Sequence, residues 1–226
     1  LFSSLGWEPV PGEDQRTSVL RGRLLGALGT IGADELVQAE ARSRFGLFLE
    51  ERSSLSPDLV SAVVGVVAAS GDASTYQLLK DQYLATSNPQ DKVRYLQSLA
   101  GFEDEALLAQ TLDYCLTDEV RAQDAPFVMG AVAGSRSGAR YAWAWLPEHW
   151  DQITAKFPAL MLLRVLEGMT GVVDPALAAD VRAFIAGHDL PVAGPRVAQL
   201  EERMDINVSL AQRVAGTISS VLNATE

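Results

Sequence analysis

Apolar residues recur along this chain at helical spacing, and no segment sustains the alternation that a strand requires. Leu20, Leu24, Ala27, Leu28 and Ile31 follow i, i+4, i+7, i+8, i+11, which is the stripe an amphipathic helix turns toward a core. Tyr76, Leu79, Tyr83 and Leu84 repeat it, as do Leu177, Val181, Phe184 and Ile185. Leu59 to Val67 is apolar nearly all round, the pattern of a helix sandwiched between others. With no hairpin turn signals between alternating segments, the expected class is all-α.

Helix punctuation agrees. Ser56-Pro57, Asn88-Pro89 and Asp174-Pro175 each put a capping side chain before a proline. Such a side chain accepts a bond from an orphan N–H, and proline at the first helical position has none to lose. Gly71 followed by Asp72 fits the end of one helix and the cap of the next. About twelve helices of roughly three or four turns are expected, joined by short connections. Their pairing every 30 to 45 residues or so is the spacing of HEAT- and armadillo-like stacks, so the expected architecture is an α-solenoid, with a helical bundle as the other option. Gly187 to Pro195 is the most irregular stretch. With no Gly-, Ser- or Pro-rich linker in between, residues 1–226 read as one domain.

Composition narrows function. Of 226 residues 48% are hydrophobic and 21% charged, a balance that supports a real core. Eighteen basic against 29 acidic residues give a net charge of −11, and no run of Lys or Arg relieves it. Nucleic acid is therefore not an expected partner. No apolar stretch is long enough to span a bilayer, and no signal peptide is visible. The single cysteine, Cys115, sits at the end of an apolar run and reads as a buried thiol; it cannot form an internal disulfide. A cytoplasmic location is the resulting expectation. The chain opens on Leu1-Phe2-Ser3-Ser4 without methionine, which hints at excision from a longer protein.

Catalytic patterns are missing. His149 and His188 stand far apart and neither belongs to an H-E-x-x-H pair, where i, i+4 spacing puts two imidazoles on one helix face for zinc. His149 reads as packing or a cap, and His188 as a solvated loop residue. Gly134-Ser135-Arg136-Ser137-Gly138 is centred on Arg136 and follows no strand. It is read as an inter-helix turn using glycine for unusual φ angles, not as a nucleophile elbow. Gly22, Gly26 and Gly29 lack the ending of a phosphate loop and read as positions of close helix packing. Trp143, Trp145 and Trp150 read as inter-helix packing. Neither a catalytic residue nor a metal ligand is assigned to the chain.

Two ordered segments carry a resemblance. One runs from Leu5-Gly6-Trp7-Glu8 through Gly12-Glu13 to the helix Leu20-Arg21-Gly22-Arg23-Leu24-Leu25-Gly26-Ala27-Leu28-Gly29. The other begins Glu119-Val120-Arg121-Ala122-Gln123-Asp124, continues through Gly130-Ala131-Val132-Ala133-Gly134 and Gly138-Ala139-Arg140, and ends at Ala142-Trp143 and His149-Trp150. Together they resemble the C-terminal domain of the gluzincin aminopeptidases, the aminopeptidase N family, which includes the puromycin-sensitive and endoplasmic-reticulum enzymes. Weaker similarity continues from Val181 to Pro191. The chain departs from the family pattern at Ala122 (usually proline) and at His149 (often asparagine). It also lacks a tryptophan in its last helix, around Ser209 to Leu222.

The resemblance implies a non-catalytic, HEAT-like superhelix that closes over an upstream catalytic domain of the same polypeptide. That upstream part would hold the zinc and remove N-terminal residues from peptides; this chain would need no cofactor. It would wall an internal cavity, help bind peptide substrates and gate their entry. Arg121, Gln123, Asp124, Arg136 and Arg140 are the candidate substrate-binding residues, the arginines as partners for a peptide carboxylate. Inter-helix salt bridges and capping are the competing reading of the same five, with Asp124 as a cap. The alternative for the whole chain is a stand-alone helical-repeat scaffold that binds proteins along a concave face.

Overall fold

In the computed structural model, which describes residues 2–188, 190 and 194–223, every regular element is helical. A single turn, α1 (Phe2–Leu5), precedes α2 (Gln15–Gly29), α3 (Glu35–Glu50), α4 (Pro57–Ala69), α5 (Ala73–Ala85) and α6 (Pro89–Ser98). Then come α7 (Glu105–Cys115), α8 (Ala125–Gly134), α9 (Ala139–Glu148), α10 (Trp150–Lys156) and α11 (Ala159–Glu167). The last two are α12 (Pro175–Gly187) and α13 (Gly194–Asn223), with 3-10 turns at Arg52–Ser54, Leu99–Gly101 and Gly168–Gly171. The all-α class is as expected. The caps are largely where the sequence put them: Asp72 accepts from Thr75 N, Asn88 from Gln90 N and Asp174 from Ala176 N. Ser56 occupies its cap position without a side-chain cap bond.

The chain divides into two compact units, residues 1–107 and 108–226, and the division falls within α7. In the first unit α2 packs on α4 and α4 on α6, while α3 touches α2 and α4, and α5 touches α4 and α6. This is the alternation of stacked helical hairpins that an α-solenoid repeats. The middle helix, α4, buries Leu59, Val60, Val63, Val64, Val66, Val67 and Ala68, as a sandwiched helix must. In the second unit α8 is the hub, packed on α9, α11 and the turn at Gly168–Gly171. There α12 packs on α9 and α13, and α13 also rests on that turn.

Helix α2 inverts the expected face. Its buried residues are Ser18, Arg21, Gly22, Leu25 and Gly29, whereas Leu20 is 39% exposed and Ile31, just past the helix, is 91% exposed. Small size selected the inner face. A Cβ on Gly29 would lie 2.5 Å from both Val66 methyl carbons, and one on Gly22 would lie 3.2 Å from the Asp58 carbonyl oxygen. The two helices therefore approach closely, and Ser18 Oγ donates to Asp58 Oδ2 at 2.7 Å across the joint. A Cβ on Gly26 would meet only open space, so the close-packing reading holds for two of the three glycines. Arg21 is accommodated because its charge is matched. Its guanidinium donates to both Glu13 carboxylate oxygens, at 2.6 and 2.5 Å, and its Nε donates to the Gly6 carbonyl at 3.1 Å. Gly6 and Gly12, at φ 62° and 80°, make the turns that bring this strap back onto α2.

The end of the chain also differs from expectation. In place of several short helices, α13 is one helix of 30 residues. Leu200 and Met204 are its buried side chains among the described residues. Asn207 Nδ2 ties it to the Thr170 carbonyl at 2.7 Å. Part of the irregular Gly187–Pro195 stretch, including Pro191, lies outside the described residues.

Candidate functional site

The five candidate residues are positioned by α8. Ahead of it, α7 ends at Cys115, and Lys156 Nζ donates to the following carbonyls of Leu116 and Thr117 at 2.7 and 2.6 Å. A cation placed there satisfies acceptors that helical bonding leaves open and complements the negative helix end. Val120 is buried and anchors the connection, and the proline of Ala125-Pro126 opens α8. Arg121 then lies beside Asp124, with Nε donating to Oδ2 at 2.6 Å. Asp124 occupies the cap position of α8 but makes no cap bond: its backbone is helical (φ −99°, ψ −36°), not extended, and Pro126 in the first turn has no N–H to offer. Gln123 and Ala122 are exposed.

At the opposite end of α8, Ser135 closes the helix. Its hydroxyl donates to the Val132 carbonyl at 2.8 Å and accepts from Gly138 N at 2.9 Å. The turn does not use glycine for unusual dihedral angles: Gly138 has φ −90°. Glycine is needed there for space, since a Cβ would stand 2.5 Å from the Val132 carbonyl oxygen. Arg140 reaches across to Asp174, the cap of α12, at 2.5 Å. Arg136 is exposed and has no ion-pair partner among the described residues. A ten-residue helix rises about 15 Å, so α8 sets Arg121, Gln123 and Asp124 at one end and Arg136 and Arg140 at the other. The five do not converge on one point; any shared ligand must run along the helix.

What holds α8 so firmly is a seam of backbone. A Cβ added to Gly130 would fall 2.4 Å from the Arg164 carbonyl oxygen, and one added to Gly168 would fall 2.1 Å from the Gly130 carbonyl oxygen. Gly134, one turn on, faces Gly168 at 3.3 Å. The Gly130 to Gly134 motif is thus the contact surface for the end of α11 and the turn after it.

Both histidines are tied down. His149 stacks on Trp145 at 4.1 Å, and His188 stacks on Phe184 at 3.9 Å. Their Nδ1 atoms lie 2.9 and 2.7 Å from the carbonyls of Trp145 and Phe184, which only accept, so each Nδ1 carries the proton. His188 is half-buried against Phe184 and Trp150, not solvated as its loop position suggested. Trp143 and Trp150 also meet Phe184 edge-on, joining α9, α10 and α12, and Trp145 Nε1 donates to Asp113 at 2.9 Å. These tryptophans are packing residues, as read. Cys115 is fully buried, and burial pushes its thiol up to about 12, which removes it as a nucleophile at neutral pH. Among the described residues no three His, Cys, Asp or Glu side chains are grouped to hold a metal ion, so the residues present do not fit zinc. Sequence reasoning gave no role to Lys156 or to the buried Arg21. A lone lysine carries no local signal of a cap 40 residues away. The Glu13–Arg21 spacing becomes legible only once the turn between them is known.

The fold is thus that of a helical domain built on close backbone seams, with ion pairs at its helix ends. Residues 1–206 match the family model of the ERAP1-like C-terminal domain, and the chain belongs to that family. It is similar to Aminopeptidase M1-B of Oryza sativa subsp. japonica, 36% identical over 212 residues, which cover 90% of this chain and 24% of that protein. It is also similar to Aminopeptidase M1 of Arabidopsis thaliana, 34% identical over 93% of this chain and 24% of the relative. Alanine/arginine aminopeptidase of Saccharomyces cerevisiae is 32% identical over 69% of the chain and 18% of that protein. The chain therefore spans about a quarter of the length of the two plant relatives.

Proposed function

We propose that residues 1–226 act as one non-catalytic C-terminal domain of a zinc aminopeptidase. Zinc and bond cleavage belong to an upstream catalytic domain of the same polypeptide, and that protein removes N-terminal residues from peptides. This domain walls an internal cavity, contributes to peptide binding and gates access. The observation that carries the reading is a set of exposed apolar side chains on α2, the turn after it and the start of α3. Leu20, Ile31 and, across the next turn, Leu36 at 83% exposure stand in water, the surface expected where another part of a protein is meant to sit. Arg121 and Gln123 at one end of α8, and Arg136 at the other, are proposed to touch peptide. Asp124 holds Arg121, and Arg140 braces α12. No described helix is long and apolar enough to cross a membrane, and the charge of −11 disfavours nucleic acid; a cytoplasmic site of action is proposed from the cysteine usage, a single thiol that no internal disulfide can involve.

The test is to produce the upstream portion separately and mix it with this chain. Co-elution, with altered turnover of long peptides but not of aminoacyl reporter substrates, supports the reading. The same chain carrying Leu20→Ser and Ile31→Ser should lose co-elution while keeping its helical circular dichroism. If the unaltered chain does not associate with the upstream portion, the scaffold alternative takes its place.

A further inference from the structure

A different part of the second unit carries a charge pattern that the aminopeptidase reading does not use. Arg164, Arg196 and Arg203 line one cleft of ≈ 290 Å³, with Glu167, Thr170 and Gln199 completing its polar wall. Residues 196, 200, 203 and 207 follow one face of α13, and that face is fixed in place. Leu200 is buried on it, and Asn207 is bonded to Thr170. Arg164 approaches from α11, its guanidinium 5.4 Å from the ring centre of Phe127 and bonded to Glu167 at 2.6 Å. Three arginines against one glutamate leave the cleft two charges positive in a chain of −11. Neither Arg196 nor Arg203 has an ion-pair partner among the described residues. The acids nearest in sequence lie off this face: successive helical residues turn by about 100°, which puts Glu201 on the far side of α13 and Glu202 on its flank.

We propose that this cleft binds a small multivalent oxyanion, a polyphosphate or polycarboxylate, with Arg196 and Arg203 as the principal ligands and Arg164 as an oriented third. Guanidinium forks are suited to such oxygens, each offering two parallel donors. Gln199 adds a neutral donor, whereas the Thr170 hydroxyl already donates to the Glu167 carbonyl at 2.8 Å and only lines the wall. Two arginines two turns apart on one helix can grip opposite ends of one anion, and a single surface arginine cannot.

The experiment is calorimetric titration of the 226-residue chain with pyrophosphate and, separately, with citrate, at low and moderate salt. The expected result is saturable one-to-one binding of at least one anion, weakening with salt. Arg196→Gln and Arg203→Gln should each lower affinity by about tenfold, the loss expected for one charge-assisted bond. Both side chains are exposed, so circular dichroism should confirm an intact fold. Arg213→Gln, also exposed on α13, should change nothing. The absence of saturable binding to either anion overturns the proposal, as does an equal loss from Arg213→Gln. Capture of a glutamate-rich peptide where neither small anion binds would overturn it in favour of an acidic protein partner.

Discussion

Gly130 and Gly26 are both glycines inside helices, yet they should respond oppositely to the same change. At Gly130 an added methyl meets a carbonyl oxygen 2.4 Å away on a packed neighbour, so Gly130→Ala should cost about 1–3 kcal/mol by overpacking. At Gly26 nothing lies within reach, and Gly26→Ala should gain up to about 1 kcal/mol of helix propensity. Urea denaturation of the two variants tests the seam directly; equal effects would contradict it. Ala33, exposed at φ 46° between α2 and α3, is a second residue-level case. Replacement by Asn, which tolerates the left-handed region, should stabilise by roughly 0.5–1 kcal/mol. The strap onto α2 adds a pH dependence. The hydrogen bond from Arg21 holds the Glu13 carboxyl below its ordinary range. Its contribution to stability is complete above the unfolded value of about 4.3 and is lost as pH falls through the lower folded value. Acid melting curves of the parent and of Glu13→Gln should therefore converge at low pH and separate toward neutrality.

Helix ends are legible in this sequence because a cap and its helix lie within four residues of each other: Asp72, Asn88 and Asp174 could be read without knowing any partner. The sandwiched α4 is legible for a related reason, since apolar residues all round leave no face to choose. The orientation of α2 is not. Period alone points to Leu20, Leu24 and Ile31, while the packed face is decided by how closely α4 can approach. That depends on Gly22 and Gly29 facing Val66 and the Asp58 carbonyl, 36 and more residues away. The candidate residues show the same division. Their types and order were visible, but Asp124 pairing with Arg121 without capping α8, and the length of α8 between the two groups, belong to three dimensions. At this scale α13 offers a further test. Beyond Asn207 its described side chains are half-buried or exposed, so truncation after Leu210 should leave the melting transition of the rest nearly unchanged. Asn207→Ala should cost about 1 kcal/mol by releasing the tie to Thr170. Amide exchange along α13 should accelerate toward its C-terminal end.

Among the described residues the one thiol is buried and inert, and both histidines are stacked on aromatic neighbours. The chain belongs to the ERAP1-like C-terminal domain family and spans about a quarter of the length of the two plant relatives. The exposed apolar set that includes Leu20 also has a colloidal consequence. A chain of charge −11 repels its copies over a distance of about one Debye length, roughly 10 Å at 0.1 M salt. Beneath that repulsion lies a short-range attraction from Leu20, Ile31 and Leu36, which salt does not screen. The second virial coefficient of the separated chain should thus change from positive toward negative as salt is raised, and Ile31→Ser should delay the change. An ion-paired dimer would behave in the opposite sense, dispersing as salt increases.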